Sequence, residues 1–294
     1  MLRRLAEWLV YSQVWIALGA ACQVLLSLTY LSGTSYERFL VEGLRYTAVI
    51  GLGSIAFYAF HRLYTLAQLR KKSIGLPPRW QLTAQYGTWL RVSIPIALTL
   101  AAFAAWSLPL VWILAAIAPA SFSALYVVPV VKGKRVRDFG WLKPIWLTVG
   151  WVWVCHGVPV LMSGSALWGH VAERGLFILG FVLLFDFRDQ DLDAQTGVRT
   201  LSARLGRQSC AALSFVLLLA SLAMQFHLAS AVATVPADLG WMLTVTLSVT
   251  SVLTLMLVAR AYWQPAGHLH YGFWLDAMLV LPIPLLLLGL AVVG

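Results

Sequence analysis

Asp186, Asp189, Asp191 and Asp193 fall within eight positions of a chain that holds only 11 acidic residues. Asp186, Asp189 and Asp193 are spaced i, i+3 and i+7, so a helix through them sets three carboxylates on one face and turns Asp191 away. Carboxylates this close repel one another, and the usual partner that relieves them is a divalent cation, commonly Mg²⁺ holding a substrate phosphate. The cluster also ends an apolar run, Gly175 to Phe185. Beside a bilayer an uncompensated carboxylate is costly, which marks the segment as a candidate site rather than as ordinary helix-end polarity.

The elements that must position these residues are apolar helices. Hydrophobic residues make up 61% of the 294 and charged residues 11%, against about 45–50% and about 25% in soluble domains. A soluble globule is excluded, and the alternating polarity of a membrane β-barrel is absent. The chain reads as an all-α, polytopic membrane bundle forming one unit over residues 1–294. At roughly 20 apolar residues per span, nine transmembrane helices are expected, at 10–31, 43–64, 86–105, 108–127, 144–163, 172–187, 209–231, 239–259 and 271–293. With the N-terminus cytoplasmic, all of the 21 lysines and arginines except Arg38, Arg45 and Arg174 fall at cytoplasmic segments or helix ends. The net charge of +10 is therefore topology and not a nucleic-acid footprint. The first span is too long for the apolar region of a signal peptide and reads as a retained helix. Cys22, Cys155 and Cys210 lie in apolar runs without paired spacing, so neither a zinc site nor a disulfide framework is indicated. The deep parts of the spans look nearly free of ionisable groups, which argues against a transporter.

The segment from Asp186 to Gly206 resembles the second aspartate-rich motif of the UbiA family of intramembrane prenyltransferases. Asp189 and Asp193 match its D-x-x-x-D core and Gly197 its glycine. Arg199, Thr200 and Leu201 match the element that follows, and Arg204, Leu205 and Gly206 its close. A softer likeness runs from Tyr126 to Arg135, where Lys132, Lys134 and Arg135 match basic residues that help hold a diphosphate. A basic loop after any cytoplasmic helix end would look the same. The resemblance implies nine helices around a central cavity, with this motif on the cytoplasmic side of a membrane, as in a bacterial inner membrane. It implies Mg²⁺ at Asp186, Asp189 and Asp193, and a prenyl diphosphate whose tail lies among membrane-embedded apolar side chains. The prenyl group would pass to a lipophilic, aromatic or quinone-type acceptor.

One part of the family pattern is missing. Where a first motif, Asn-Asp-x-x-Asp, ends the second helix, this chain has Ala56-Phe57-Tyr58-Ala59-Phe60-His61-Arg62-Leu63-Tyr64, and no carboxylate occurs between Glu42 and Asp138. Two readings follow. Arg62, with His61 beside it, contacts the diphosphate through a charge-assisted fork in place of a metal. Alternatively, the chain is a catalytically degenerate homologue that binds a prenyl lipid or acts as a scaffold. The ordinary role for Arg62 is a snorkelling residue at a helix end. Asp276, early in the last span, is expected at the depth of the aspartate cluster, as part of the cavity rim or as a solvated helix-end carboxylate.

Overall fold

The computed structural model describes every residue except 32–36, 72–74, 129–135, 137–138, 196–199, 232–236, 264–266 and 294, and backbone alone at 37–38, 118–120, 122–124, 127, 190–195, 207, 229–231, 237–238 and 293. Among the described residues all regular structure is helical. The helices are α1 (Leu2–Tyr11), α2 (Val14–Leu31), α3 (Glu37–Lys71), α4 (Pro78–Gln85), α5 (Gly87–Ala105), α6 (Leu110–Val127) and α7 (Leu142–Val152). They continue with α8 (Val158–Ser163), α9 (Trp168–Gln195), α10 (Leu201–Ala231), α11 (Ala237–Trp263), α12 (Asp276–Val280) and α13 (Pro282–Val293). Two π-helical turns, Trp153–Gly157 and His270–Leu275, join α7 to α8 and lead into α12. Such turns re-aim the side chains beyond them and recur at functional positions.

Among the described residues, six helical segments are long and apolar enough to cross a bilayer, or seven if the bent pair His270–Val280 and Pro282–Val292 is one span. The protein is thus a polytopic membrane protein. Two helices in the intervals of expected spans fall outside that count: α6, part of whose side chains lie outside the described set, and α9. The latter carries His170, Glu173 and Arg174 toward one end and Asp186, Arg188 and Asp189 toward the other. The interval 10–31 is also not one helix. Gln13 adopts a left-handed backbone with φ 68°, and its amide Nε2 donates to the carbonyls of Val10 and Tyr11. The chain therefore turns before α2 begins at Val14. A non-glycine residue rarely takes this conformation unless its surroundings impose it.

The bundle is built around α2, which packs against α3, α8 and α12. One core cluster joins Phe177 and Phe181 of α9 to Leu218 of α10, Val258 of α11 and Leu279 of α12. A second joins Val24, Tyr46, Trp112 and Val158. Lipid tails are as apolar as these side chains, so close packing rather than water exclusion must hold the helices together. Gly180 serves that need. A Cβ there would stand 3.0 Å from Leu218 Cγ and 3.1 Å from the Ser214 carbonyl oxygen, so only glycine lets α9 and α10 approach this closely. In α10 the helix breaks at Gly206, with φ 78° and ψ 164°, and the membrane-crossing part resumes at Gln208.

The interior is more polar than expected from the sequence. His156, His170, Glu173 and Arg174 are all buried within the bundle. Ser27 Oγ sits 2.6 Å from His156 Nδ1 and 3.3 Å from His170 Nε2. The Glu173 carboxylate accepts hydrogen bonds from Arg174, Ser221 and Gln225. This network belongs to the end of α9 remote from the aspartates.

Candidate functional site

Five elements supply the charged side chains of the site. The last turns of α9 supply Asp186, Arg188 and Asp189, and α3 supplies Arg62 near its C-terminal end. Arg79 comes from α4, Lys143 from the first turn of α7, and Asp276 from the start of α12. All of these line one cavity of about 150 Å³, together with Tyr126 and His61. Local sequence explains much of this arrangement. Pro77 and Pro78 open α4, proline being suited to a first turn whose N–H groups lack helical partners, and this start brings Arg79 and Trp80 over the cavity. Trp80 is buried against Leu66 and Leu69 of α3, which fixes α4 in place.

The carboxylates of α9 are already engaged. Lys143 Nζ lies 3.0 Å from Asp186 Oδ1 and 3.9 Å from Asp189 Oδ2. Asp189 Oδ1 accepts from Arg188 Nε at 2.9 Å and also from Arg79 Nη1. Asp189 stands past the apolar run that ends at Phe185. Burial by itself pushes its carboxyl up, but Arg188, Arg79 and Lys143 outweigh this and hold it well below the usual carboxylate range.

Arg62 is different. Its guanidinium stacks on the Trp80 ring, 5.3 Å from the ring centroid, and Arg79 stacks on the same ring at 5.6 Å. Among the described residues no carboxylate lies within ion-pair distance of Arg62. Stacking uses the face of the guanidinium and leaves the N–H edge available for an oxyanion. Asp276 is the acidic counterpart: it is buried, and its Oδ1 has no hydrogen-bond partner among the described residues.

A second, apolar chamber of about 270 Å³ adjoins the first. The two share Phe57, Tyr58, Tyr126, Leu147 and Trp151 in their walls. Trp151 Nε1 donates to Tyr58 Oη at 2.8 Å, so the shared wall is held rigidly. The His61 ring lies 5.9 Å from that of Tyr126. Beyond this wall the lining turns to side chains such as Val49, Ile50, Ala116 and Val154. A cavity with cationic side chains in its lining thus lies beside an apolar one.

Of the residues singled out from sequence, Asp186, Asp189, Arg62, Tyr126 and Asp276 are thus neighbours around one cavity. Asp193 has its backbone in α9, but its side chain, and all of Lys132, Lys134, Arg135 and Arg199, lie outside the described residues. Sequence reasoning passed over Arg79, Lys143 and Arg188 as ordinary positive-inside residues. The one available signal was a basic residue directly after Pro77-Pro78, or directly before Pro144, at a helix start.

Mg²⁺ requires oxygens at about 2.0–2.1 Å in near-octahedral array. Asp186 and Asp189 instead face an ammonium and two guanidiniums, and no three His, Cys, Asp or Glu side chains among the described residues converge on a point that could hold a metal ion. Among the described residues, the cations around Asp186 and Asp189 suit an anion better than a metal ion.

Among solved structures, the chain is similar to the apo structure of a UbiA homolog from Aeropyrum pernix K1, at 19% identity over 95% of this chain and 97% of that one, with a TM-score of 0.49. No family model and no curated protein matches the chain.

Proposed function

We propose that the protein is a membrane prenyltransferase that moves a prenyl group from a prenyl diphosphate to a lipophilic acceptor of aromatic or quinone type. The observation that carries this reading is that a cation-lined cavity and an apolar chamber lie side by side, with Phe57, Tyr58, Tyr126, Leu147 and Trp151 in the walls of both. An amphiphile with an anionic head and a hydrocarbon tail is the ligand such a space suits. The motif from Asp186 to Gly206 narrows that ligand to a prenyl diphosphate. The bundle would have nine spans in a bacterial inner membrane, with the N-terminus and the site facing the cytoplasm. The lopsided distribution of lysine and arginine supports this orientation.

The chemistry follows from charge. The allylic C–O bond breaks with its electron pair leaving on the diphosphate, and Arg62, Arg79, Lys143 and Arg188 are set to stabilise that growing negative charge. Little water reaches a cavity walled by aromatic rings, which protects the allylic cation from hydrolysis. The faces of Tyr58, Tyr126 and Trp151 also favour a cation electrostatically. The electron-rich acceptor carbon then bonds to the prenyl carbon, and the acceptor releases a proton.

The test is transfer by purified protein of label from geranyl, farnesyl and geranylgeranyl diphosphates to a panel of hydroquinones, phenols and porphyrin-type acceptors. Transfer is expected, and Arg62→Ala should lower kcat/KM by about 10²-fold, the scale of losing one oxyanion-stabilising donor. Binding of the diphosphates with no transfer across the panel would establish the degenerate prenyl-lipid binder instead.

A further inference from the structure

Resting on that reading of the cavity, we infer that the diphosphate is held by protein cations in place of a divalent metal, so that ligand capture is metal-independent. Two observations on the charges carry this. Among the described residues, four basic side chains, Arg62, Arg79, Lys143 and Arg188, line the cavity against three carboxylates, Asp186, Asp189 and Asp276. The excess is positive before any ligand enters. Two of the three carboxylates are committed to those cations: Asp186 to Lys143 at 3.0 Å, and Asp189 to Arg188 at 2.9 Å and to Arg79.

A metal ion entering here would have to break these ion pairs in a partly buried setting, where an abandoned guanidinium or ammonium is costly. It would also bring two more positive charges into a space of low dielectric that already carries a surplus. An anion does the opposite. A diphosphate neutralises the surplus and leaves every existing ion pair in place.

Arg62 supplies the attachment point. Its guanidinium is oriented by Trp80 and has no carboxylate partner among the described residues. It therefore enters a complex without first giving up an ion pair, and its planar fork matches two phosphate oxygens. Arg79, stacked on the same Trp80 ring, extends the cradle from the side of α4. In sequence, Arg62 occupies the helix end where a second set of metal-binding carboxylates would otherwise stand. At that position, inside α3, the chain offers a positive charge where a clamp of two metals would need negative ones.

The deciding experiment is equilibrium binding to the purified full-length protein in detergent, with inorganic pyrophosphate and farnesyl thiolodiphosphate as probes. The second probe keeps its chain because its C–S bond resists ionisation. Each titration is run in EDTA and again in MgCl₂. Affinity in EDTA within about threefold of that in MgCl₂, a difference well under 1.4 kcal/mol, is the expected result. Arg62→Gln should weaken binding by at least about tenfold, as expected for loss of a charge-assisted fork, and Arg62→Lys should restore part of it. Binding that appears only with MgCl₂ would overturn the inference while leaving the transferase reading intact. Absence of binding under both conditions would overturn both. Arg62→Gln binding as tightly as the wild type in EDTA would also overturn the inference. Should that variant not fold, the comparison of EDTA with MgCl₂ on wild-type protein decides alone.

Discussion

At the scale of single residues, the cavity contains two opposite exceptions to the rule that buried charges are paired. Arg62 has no carboxylate and Asp276 Oδ1 has no donor among the described residues, although both line the same space. A carboxylate left this way costs stability, so its retention points to use by a ligand or by a step in the reaction. Asp276→Asn removes the buried charge at constant shape. It is expected to raise the thermal stability of the apoprotein in detergent, by about 1 kcal/mol, while lowering turnover. A fall in stability would show that Asp276 has a supporting role in the fold. Asp189 behaves in the reverse sense. Its folded carboxyl is depressed, so its ion pairs stabilise the protein above the ordinary aspartate value, about 3.9. That stabilisation drains away as pH falls further, through the folded value. Acid melting profiles should therefore show wild type losing its advantage over Asp189→Asn only below that ordinary value.

At the scale of elements, the short helix α4 explains why the site could be half seen in the sequence. The aspartates were legible because three carboxylates at i, i+3 and i+7 beside an apolar run have few innocent explanations. Arg79, Lys143 and Arg188 were not, because the positive-inside rule gives every basic residue at a cytoplasmic helix end an ordinary role. What converts Arg79 into a site residue is tertiary. Trp80 anchors α4 onto Leu66 and Leu69 and offers its ring face to both Arg62 and Arg79. The two π-helical turns were equally hidden, since they arise from how helices pack and not from any local residue pattern. Trp80→Ala is expected to cost about 3–5 kcal/mol of stability, the usual range for deleting a buried aromatic side chain. It should also weaken pyrophosphate binding, because both guanidiniums lose their support. Trp80→Phe, which keeps a ring face, should recover most of the affinity. Equal affinities for Trp80→Ala and wild type would show that the stacking does not orient the cradle.

At the scale of the whole molecule, α9 links two polar centres. Asp186 lies 13 residues from Glu173, roughly 20 Å along a helix at 1.5 Å per residue, and the stretch between them packs Phe177, Ile178, Phe181 and Val182 into the core. In the sequence Glu173 has no assigned role, and Arg174 is only one of the three basic residues left off the cytoplasmic side. The bundle instead buries both completely, with Arg174 stacked 4.5 Å from the Phe177 ring centroid. Their carboxylate–guanidinium contact is reinforced by Ser221 and Gln225 of α10, which ties α9 to α10 on the far side of the molecule from the aspartates. A buried pair of this kind contributes less than its geometry suggests, since desolvating both charges offsets most of the attraction. Removing one partner is another matter, because the survivor remains buried without compensation. Glu173→Gln should therefore destabilise the protein by about 3–5 kcal/mol, read as a lowered melting temperature in detergent. The double variant Glu173→Gln with Arg174→Met should regain much of that loss, because methionine fills the space of the guanidinium stem without a charge. If the double variant melts no higher than Glu173→Gln, the network stabilises α9 through its full set of hydrogen bonds and not through charge balance. In either case pyrophosphate affinity at the opposite end should stay near wild type, since that site draws on only the last turns of α9.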